Sequence, residues 1–297
     1  MNHRLILLLG AMISLSACAG GDDLPQGTST DDRWEAFKAA AVLLSDTPEP
    51  RYIFGGDMLA VGEEGLRREY HRYFGADPGA SSGVGWVSSP LTVKQVNGAD
   101  VLLQPTYQDS NGGRYDLTYC IQRNTFSAAE LSALEPALTL ATDSWSALVN
   151  VSFRHDASQD ASCGAGNTNV FFNVRNVSGS TFFAASFFPD NARGVRELLV
   201  DDSAFTTTSG GRDLQGILRH ETGHILGFRH EHIWLTCTGE TTDGARQVTP
   251  YDEDSVMHYP QCRTSLSGGY RQTKLDYQGA IELYGLSSAL ITIVTSI

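Results

Sequence analysis

The run His220-Glu221-Thr222-Gly223-His224-Ile225-Leu226-Gly227-Phe228-Arg229-His230 constrains this chain more than any other stretch. It reads H-E-x-x-H-x-x-G-x-x-H. On a helix, side chains four residues apart stand one turn apart on the same face, so His220 and His224 can offer two imidazoles to one ion. A catalytic zinc takes three protein ligands and keeps a fourth position open, and His230 is the candidate third ligand. His230 cannot lie on the same straight helix face. The chain must therefore turn after His224, and Gly227 is the residue type that ends a helix in a left-handed conformation. Glu221 has the reach to take a proton from water at the metal, which makes it the candidate general base. The spacing predicts one Zn²⁺ per chain.

This longer motif, followed by a methionine turn, is the metzincin signature. The methionine is found in Ser255-Val256-Met257-His258-Tyr259; the chain has 4 methionines, and Met257 alone lies beyond residue 58. An unbranched thioether beneath three imidazoles would form an apolar floor. Gly227-Phe228-Arg229-His230-Glu231-His232 and the Ser255-to-Tyr259 run resemble the zinc-binding and Met-turn segments of the astacins. Residues 275–285, ending in Leu283-Tyr284-Gly285, resemble the closing helix shared by astacins and matrixins. Ile233-Trp234-Leu235-Thr236-Cys237 departs from the Arg and Asp-rich continuation of astacins, which leaves astacin against matrixin open. The resemblance implies an α+β, zincin-like catalytic domain: a twisted, mostly parallel sheet with long helices, an active-site helix and a Met-turn. It also implies a zinc endopeptidase that hydrolyses internal peptide bonds, with Tyr259 near the metal to stabilise the oxyanion.

Local patterning agrees with that class. Strands are expected over residues 115–121, 151–154, 169–175, 181–188 and 197–201. A helix is expected over 126–150, opened by the capping-box pair Ser127 and Glu130. Its Leu131, Leu134, Leu138, Ala141, Trp145 and Leu148 recur at helical spacing, and Pro136 should kink it or mark the first turn of its main part. Asp213 is the expected N-cap of an active-site helix over 213–228, and Thr273 with Asp276 caps a last helix that ends at Gly285. In the resembled family, an edge strand at the position of Phe182 to Phe188 pairs with extended substrate. His71 and His155 belong to no motif, and His232 and His258 are not counted as ligands.

The N-terminus bears on location. Residues 1–17 combine a short basic start with a short apolar run, too short to span a bilayer, and read as a secretory signal. The sequence Leu15-Ser16-Ala17-Cys18 resembles a bacterial lipobox, which implies acylation at Cys18. Residues 18–50 read as a tether, starting with a Gly-, Asp-, Ser- and Thr-rich stretch with little to bury. The expected location is therefore the cell envelope of a bacterium, as an exported lipoprotein at the outer membrane or cell surface. Membrane contact is expected through the lipid anchor alone. Cys120, Cys163, Cys237 and Cys262 remain, an even set that in an exported chain predicts two disulfides out of three possible connectivities. Pairing Cys120 with Cys163 and Cys237 with Cys262 is favoured, because the second bridge would close the loop leading into the Met-turn.

Residues 51–114 read as prosegment-like and 115–297 as the zinc metallopeptidase domain. Phe54-Gly55-Gly56-Asp57 resembles the F-x-G-D inhibitory motif of astacin prosegments, which implies that Asp57 ligates the zinc and keeps the enzyme latent until a cut releases it. The net charge of −13 disfavours nucleic acid as a partner, because phosphates are met by Lys and Arg. The expected partner is a protein or peptide substrate. The alternatives are a surface-anchored, non-catalytic binding lipoprotein and a zinc hydrolase of a non-peptide amide. The intact Glu221 argues against the first, since a structural zinc needs no base.

Overall fold

A computed structural model describes residues 30–44, 49–74, 91–107, 113–235, 237, 240–263 and 270–288. Cys18, the signal at 1–17, residues 18–29 and 45–48 of the expected tether, and residues 289–297 lie outside the described residues. Residues 30–44, expected in the tether, instead form a helix and a strand, because Trp34 finds a core to bury in. The N-terminal part comprises α1 (Thr30–Ala40), β1 (Val42–Leu44), β2 (Arg51–Phe54), β3 (Met58–Val61) and α2 (Gly62–Phe74). Its three strands form one antiparallel sheet in the order β1-β2-β3. Trp34, Tyr52, Phe54, Met58, Leu66 and Tyr70 make its core, which is shared with Phe188 from the rest of the chain.

The second part begins with β4 (Thr92–Val96) and β5 (Ala99–Asp100). It continues with β6 (Leu117–Ile121), α3 (Ala128–Ser146), β7 (Phe153–His155), β8 (Phe172–Val177), β9 (Ala184–Ala185) and β10 (Glu197–Asp201). Then follow α4 (Leu214–Ile225), β11 (Phe228–Arg229), β12 (Ala245–Gln247) and α5 (Lys274–Tyr284). The main sheet runs β7-β6-β8-β10-β9. Its β6–β7, β6–β8 and β8–β10 pairs are parallel, and only β9, at the edge, is antiparallel to its neighbour. This is an α+β fold built on a mostly parallel sheet.

Helix α3 starts where its chemistry dictates: the Ser127 side chain accepts from the Glu130 amide and the Glu130 carboxylate accepts from the Ser127 amide. Leu134, Leu138, Ala141 and Trp145 form its buried stripe. Pro136 does not interrupt it. Pro136 and Ser132 are exposed, so the carbonyl deprived of a partner by the proline faces water. The helix stops at Ser146, so Leu148, expected on the stripe, follows its end. Trp145 packs α3 onto α4, and its indole donates to the Arg219 carbonyl at 3.1 Å.

Strand bounds differ more from expectation. Residues 181–188 contain only the two-residue β9, although Phe182, Phe187 and Phe188 are buried as a core strand's would be. Residues 91–107, which the sequence grouped with the prosegment-like region, are built into the catalytic body. Strand β4 pairs with β11 and β12, and Leu91 and Leu103 lie in the main core. The reason is long-range pairing: β4 makes a local hairpin with β5, but the partners that tie it to the catalytic body, β11 and β12, follow it by more than a hundred residues, beyond the reach of local periodicity. Buried ion pairs cross between the two parts. Arg51 of β2 meets Glu197 of β10, which also takes Arg175 at 3.3 Å and Asn173 at 2.8 Å. Lys94 of β4 lies 3.5 Å from Glu69 of α2 and 3.1 Å from Asp190. Charges buried this way fix the register of the two parts more than they add net stability.

Candidate metal centre

Helix α4 opens at Asp213, whose carboxylate accepts from the Gly216 amide, and it carries His220 and His224 on its buried face. It ends at Ile225, and the chain turns at Gly227 (φ 94°) into β11, which delivers His230. All three imidazoles are within 1 % of full burial. Met257 lies beneath them, itself fully buried; a β-carbon on Gly223 would stand 2.3 Å from its sulfur, so the helix and the Met-turn meet only because residue 223 is glycine. Asp276 of α5 holds that turn from behind, accepting from the Ser255 hydroxyl at 2.6 Å and the Val256 amide at 2.9 Å. Burial pushes its carboxyl up to about 6 in spite of these bonds.

The hydrogen bonds settle the tautomers. His220 Nδ1 lies 2.7 Å from the Val256 carbonyl, and His224 Nδ1 lies 2.7 Å from the Phe228 carbonyl. A carbonyl only accepts, so each Nδ1 carries the hydrogen and each Nε2 presents a lone pair. His230 Nδ1 faces the Glu240 carboxylate at 2.9 Å, with the same consequence. The three Nε2 atoms converge, and Asp57 joins them: its oxygens are 3.1 Å from His220, 3.4 Å from His224 and 2.9 Å from His230. Four ligand atoms thus lie within 4.8 Å of one another. Among the described residues, His224 Nε2, His230 Nε2 and one Asp57 oxygen have no hydrogen-bond partner. Four buried electron-pair donors facing one point need a cation between them, and three imidazoles with one carboxylate suit zinc.

Charge at the centre follows from this crowding. Burial alone would raise the Asp57 carboxyl, but His230, His224 and the bond from His220 outweigh it and hold the group well below its ordinary range. Burial lowers His220 to about 4. Burial also acts to lower His230, yet Asp57 and Glu240 overcome it and raise that imidazole to about 10. Without a metal, a proton would sit on His230 between two carboxylates; a zinc ion would take its place.

Glu221 follows His220 on α4 and is 2 % exposed. One of its oxygens has no hydrogen-bond partner among the described residues, and burial, then the Asp57 charge, raises its carboxyl well above the ordinary value. It lines a cavity of about 180 Å³ together with Arg212, Ile217, Tyr259 and Tyr270. Residues 181–184, the segment that leads into the edge strand β9, also line it. Tyr259 stacks against His232, ring centroids 4.3 Å apart, and its hydroxyl donates to the Gly55 carbonyl at 3.1 Å.

Asp57 arrives on the turn between β2 and β3, and the segment after it lies along the sheet edge. Ser186 donates its amide to the Asp57 carbonyl at 2.9 Å, and Leu59 donates to the Ser186 carbonyl at 3.0 Å, in parallel sense. The edge beside β9 is therefore covered by the chain's own residues. The structure joins Cys120 to Cys163 and Cys237 to Cys262. His258 turns from the metal centre to the Tyr251 hydroxyl at 2.7 Å, His155 meets Asp160 at 2.9 Å, and His71 lies against Tyr70. Sequence reasoning missed Glu240, Tyr270 and Asp276. Only Asp276 had a signal, its capping box, and that pointed to a helix start and not to the Met-turn.

Residues 109–236 match the family model of the matrixins. The match takes in the three histidines and Glu221, and it leaves Asp57, Glu240 and the Met-turn outside. It supports a zinc metallopeptidase of metzincin type, using zinc and acting on protein or peptide substrates. No curated protein matches the chain.

Proposed function

We propose that this chain is a zinc endopeptidase, astacin-like in its site, that is exported as a lipoprotein and held latent by its own Asp57. The observation that carries the reading is the convergence of His220, His224, His230 and Asp57 beside a buried Glu221 with one unpartnered oxygen. Zinc, when bound there, supplies Lewis acidity toward a peptide carbonyl and toward water. His220, His224 and His230 hold it through Nε2, their Nδ1 hydrogens pinned by Val256, Phe228 and Glu240. Glu221 accepts the proton of the attacking water and passes it to the leaving amine. The Tyr259 hydroxyl donates to the oxygen that gains charge as the carbonyl is attacked. Extended substrate adds to the sheet edge beside β9.

Latency follows from who occupies these positions. Asp57 is the fourth donor of the group that would hold the metal, the Gly55 carbonyl takes the Tyr259 hydroxyl, and residues 57–59 take the sheet edge. Gly56 (φ 99°) permits the approach, since a β-carbon there would lie 2.4 Å from the Tyr259 oxygen. Because β4 belongs to the catalytic body, the activating cut falls between α2 and Leu91, in the Gly- and Ser-rich stretch 75–90 that lies outside the described residues. The acylated Cys18 is on the far side of that cut, so activation also frees the enzyme from the envelope.

Two substitutions test the catalytic reading. Glu221→Gln keeps zinc and loses turnover about 10²- to 10⁴-fold, because an amide cannot take the proton. His230→Ala loses metal and activity together. A fully metallated His230→Ala protein, or a Glu221→Gln enzyme at near-normal rate, overturns the assignment.

A further inference from the structure

The three imidazoles at the centre are not held alike. His220 and His224 donate Nδ1 to main-chain carbonyls, from Val256 and Phe228. His230 donates Nδ1 to a carboxylate, its two oxygens at 2.9 and 3.0 Å. That carboxylate, Glu240, is 6 % exposed and stands ten positions further along the chain, in the loop before β12.

A second imidazole uses the same carboxylate. His232 Nδ1 accepts from the Tyr259 amide at 3.2 Å, so its hydrogen is on Nε2, which lies 3.0 Å from Glu240. One carboxylate therefore receives two donated hydrogens and joins His230, through His232, to the main chain of Tyr259. The loop that carries Glu240 is itself fixed. Arg229, next to His230 on β11, donates to the carbonyls of Asp243 at 2.7 Å and Thr241 at 3.0 Å. Cys237, just before it, is bridged to Cys262 beyond the Met-turn.

We infer that Glu240 is the positioning residue of the third imidazole: it sets the ring plane and tautomer of His230, places an anion behind that one ligand, and links it to Tyr259. An anion behind an imidazole makes its free nitrogen a stronger donor, and partners of this kind alter metal affinity by about 10- to 100-fold. The other two histidines lack a charged partner on Nδ1, so the centre is asymmetric, with His230 its strongest donor. The inference rests on the zinc reading above.

The test compares full-length wild type with Glu240→Ala and Glu240→Gln. It measures zinc per chain, zinc affinity by chelator competition, the visible spectrum of the Co²⁺-loaded protein, and thermal stability of the metal-free protein. Glu240→Ala should bind zinc about 10- to 100-fold more weakly with an altered Co²⁺ spectrum. Glu240→Gln, which keeps one acceptor oxygen without the charge, should fall between Glu240→Ala and wild type. The isosteric amide also keeps the test readable if Glu240→Ala fails to fold. Wild-type affinity and spectrum in Glu240→Gln, with only metal-free stability reduced, would make Glu240 a packing residue and overturn the inference while leaving the zinc reading intact. Two metals per chain in wild type and one in Glu240→Ala would make the Glu240, His230 and His232 atoms a second metal site, which also overturns it. No zinc in wild type removes the zinc reading itself, an outcome distinct from both.

Discussion

At Tyr259 the ring and the hydroxyl act separately. The ring fills the space beside His230 and His232, and Phe would fill it equally well. The hydroxyl donates to the Gly55 carbonyl and also meets Asp57, partners that the proposed processing would remove together. Tyr259→Phe in the processed enzyme should therefore lower kcat by up to about 10²-fold with little change in KM; an unaltered kcat would leave the residue a packing role alone. Glu221 makes a prediction in pH. Burial first, then the Asp57 charge, raises its carboxyl above 4.5. A base must be ionised to take a proton, so kcat/KM should fall as pH drops through that raised pKa and recover above it. The proposed processing would take away the Asp57 charge and uncover part of the cavity that Glu221 lines, so both causes would weaken without changing sign. The acidic limb should then still lie above 4.5, and a rate flat down to that pH would assign the base elsewhere. Of these residues, the H-E-x-x-H core was legible because each member is placed by helical spacing alone. Glu240 was not, because nothing local ties it to His230; only the turn of the loop and the Cys237 bridge bring it back.

Helices and strands were legible to different degrees. Both capping boxes, Ser127 with Glu130 and Thr273 with Asp276, stand where a three-residue pattern put them, since a cap is decided within one turn. The edge at 181–188 was expected as a full strand, and only Ala184 and Ala185 pair with β10. Its aromatic composition reports burial, whereas pairing depends on where β10 lies. Strand β4 was hidden for the same reason. The loop from Cys237 to Cys262, which holds Glu240 and the Met-turn, makes an element-scale prediction. It closes 25 residues, so opening it should lower stability by about 3–4 kcal/mol on the chain-entropy account. Thermal unfolding of a Cys237→Ser, Cys262→Ser double variant measures this. A transition at the wild-type temperature would mean that packing of the loop, and not the bridge, holds it.

The molecule as a whole is arranged so that one N-terminal part meets the catalytic body at several places at once: the metal centre through Asp57, Tyr259 through Gly55, the sheet edge through residues 57–59, and buried charges through Arg51 and Glu69. Without that part, Glu197 would keep Arg175 and Lys94 would keep Asp190, so the body would retain partners for these buried charges. On the proposed processing, the active species recovered after the cut should be soluble and lack Cys18. An active, uncut lipoprotein would remove the release proposal. The most direct test of the account uses full-length, uncut protein on a pool of denatured proteins, with zinc content and cleavage sites read together. It compares the parent chain, Asp57→Ala, and Asp57→Ala combined with Glu221→Gln. The account predicts a silent parent, new internal cleavages from uncut Asp57→Ala, and a silent double variant that still carries zinc. A zinc-loaded Asp57→Ala chain as inactive as its parent, or a double variant as active as the single, would contradict it.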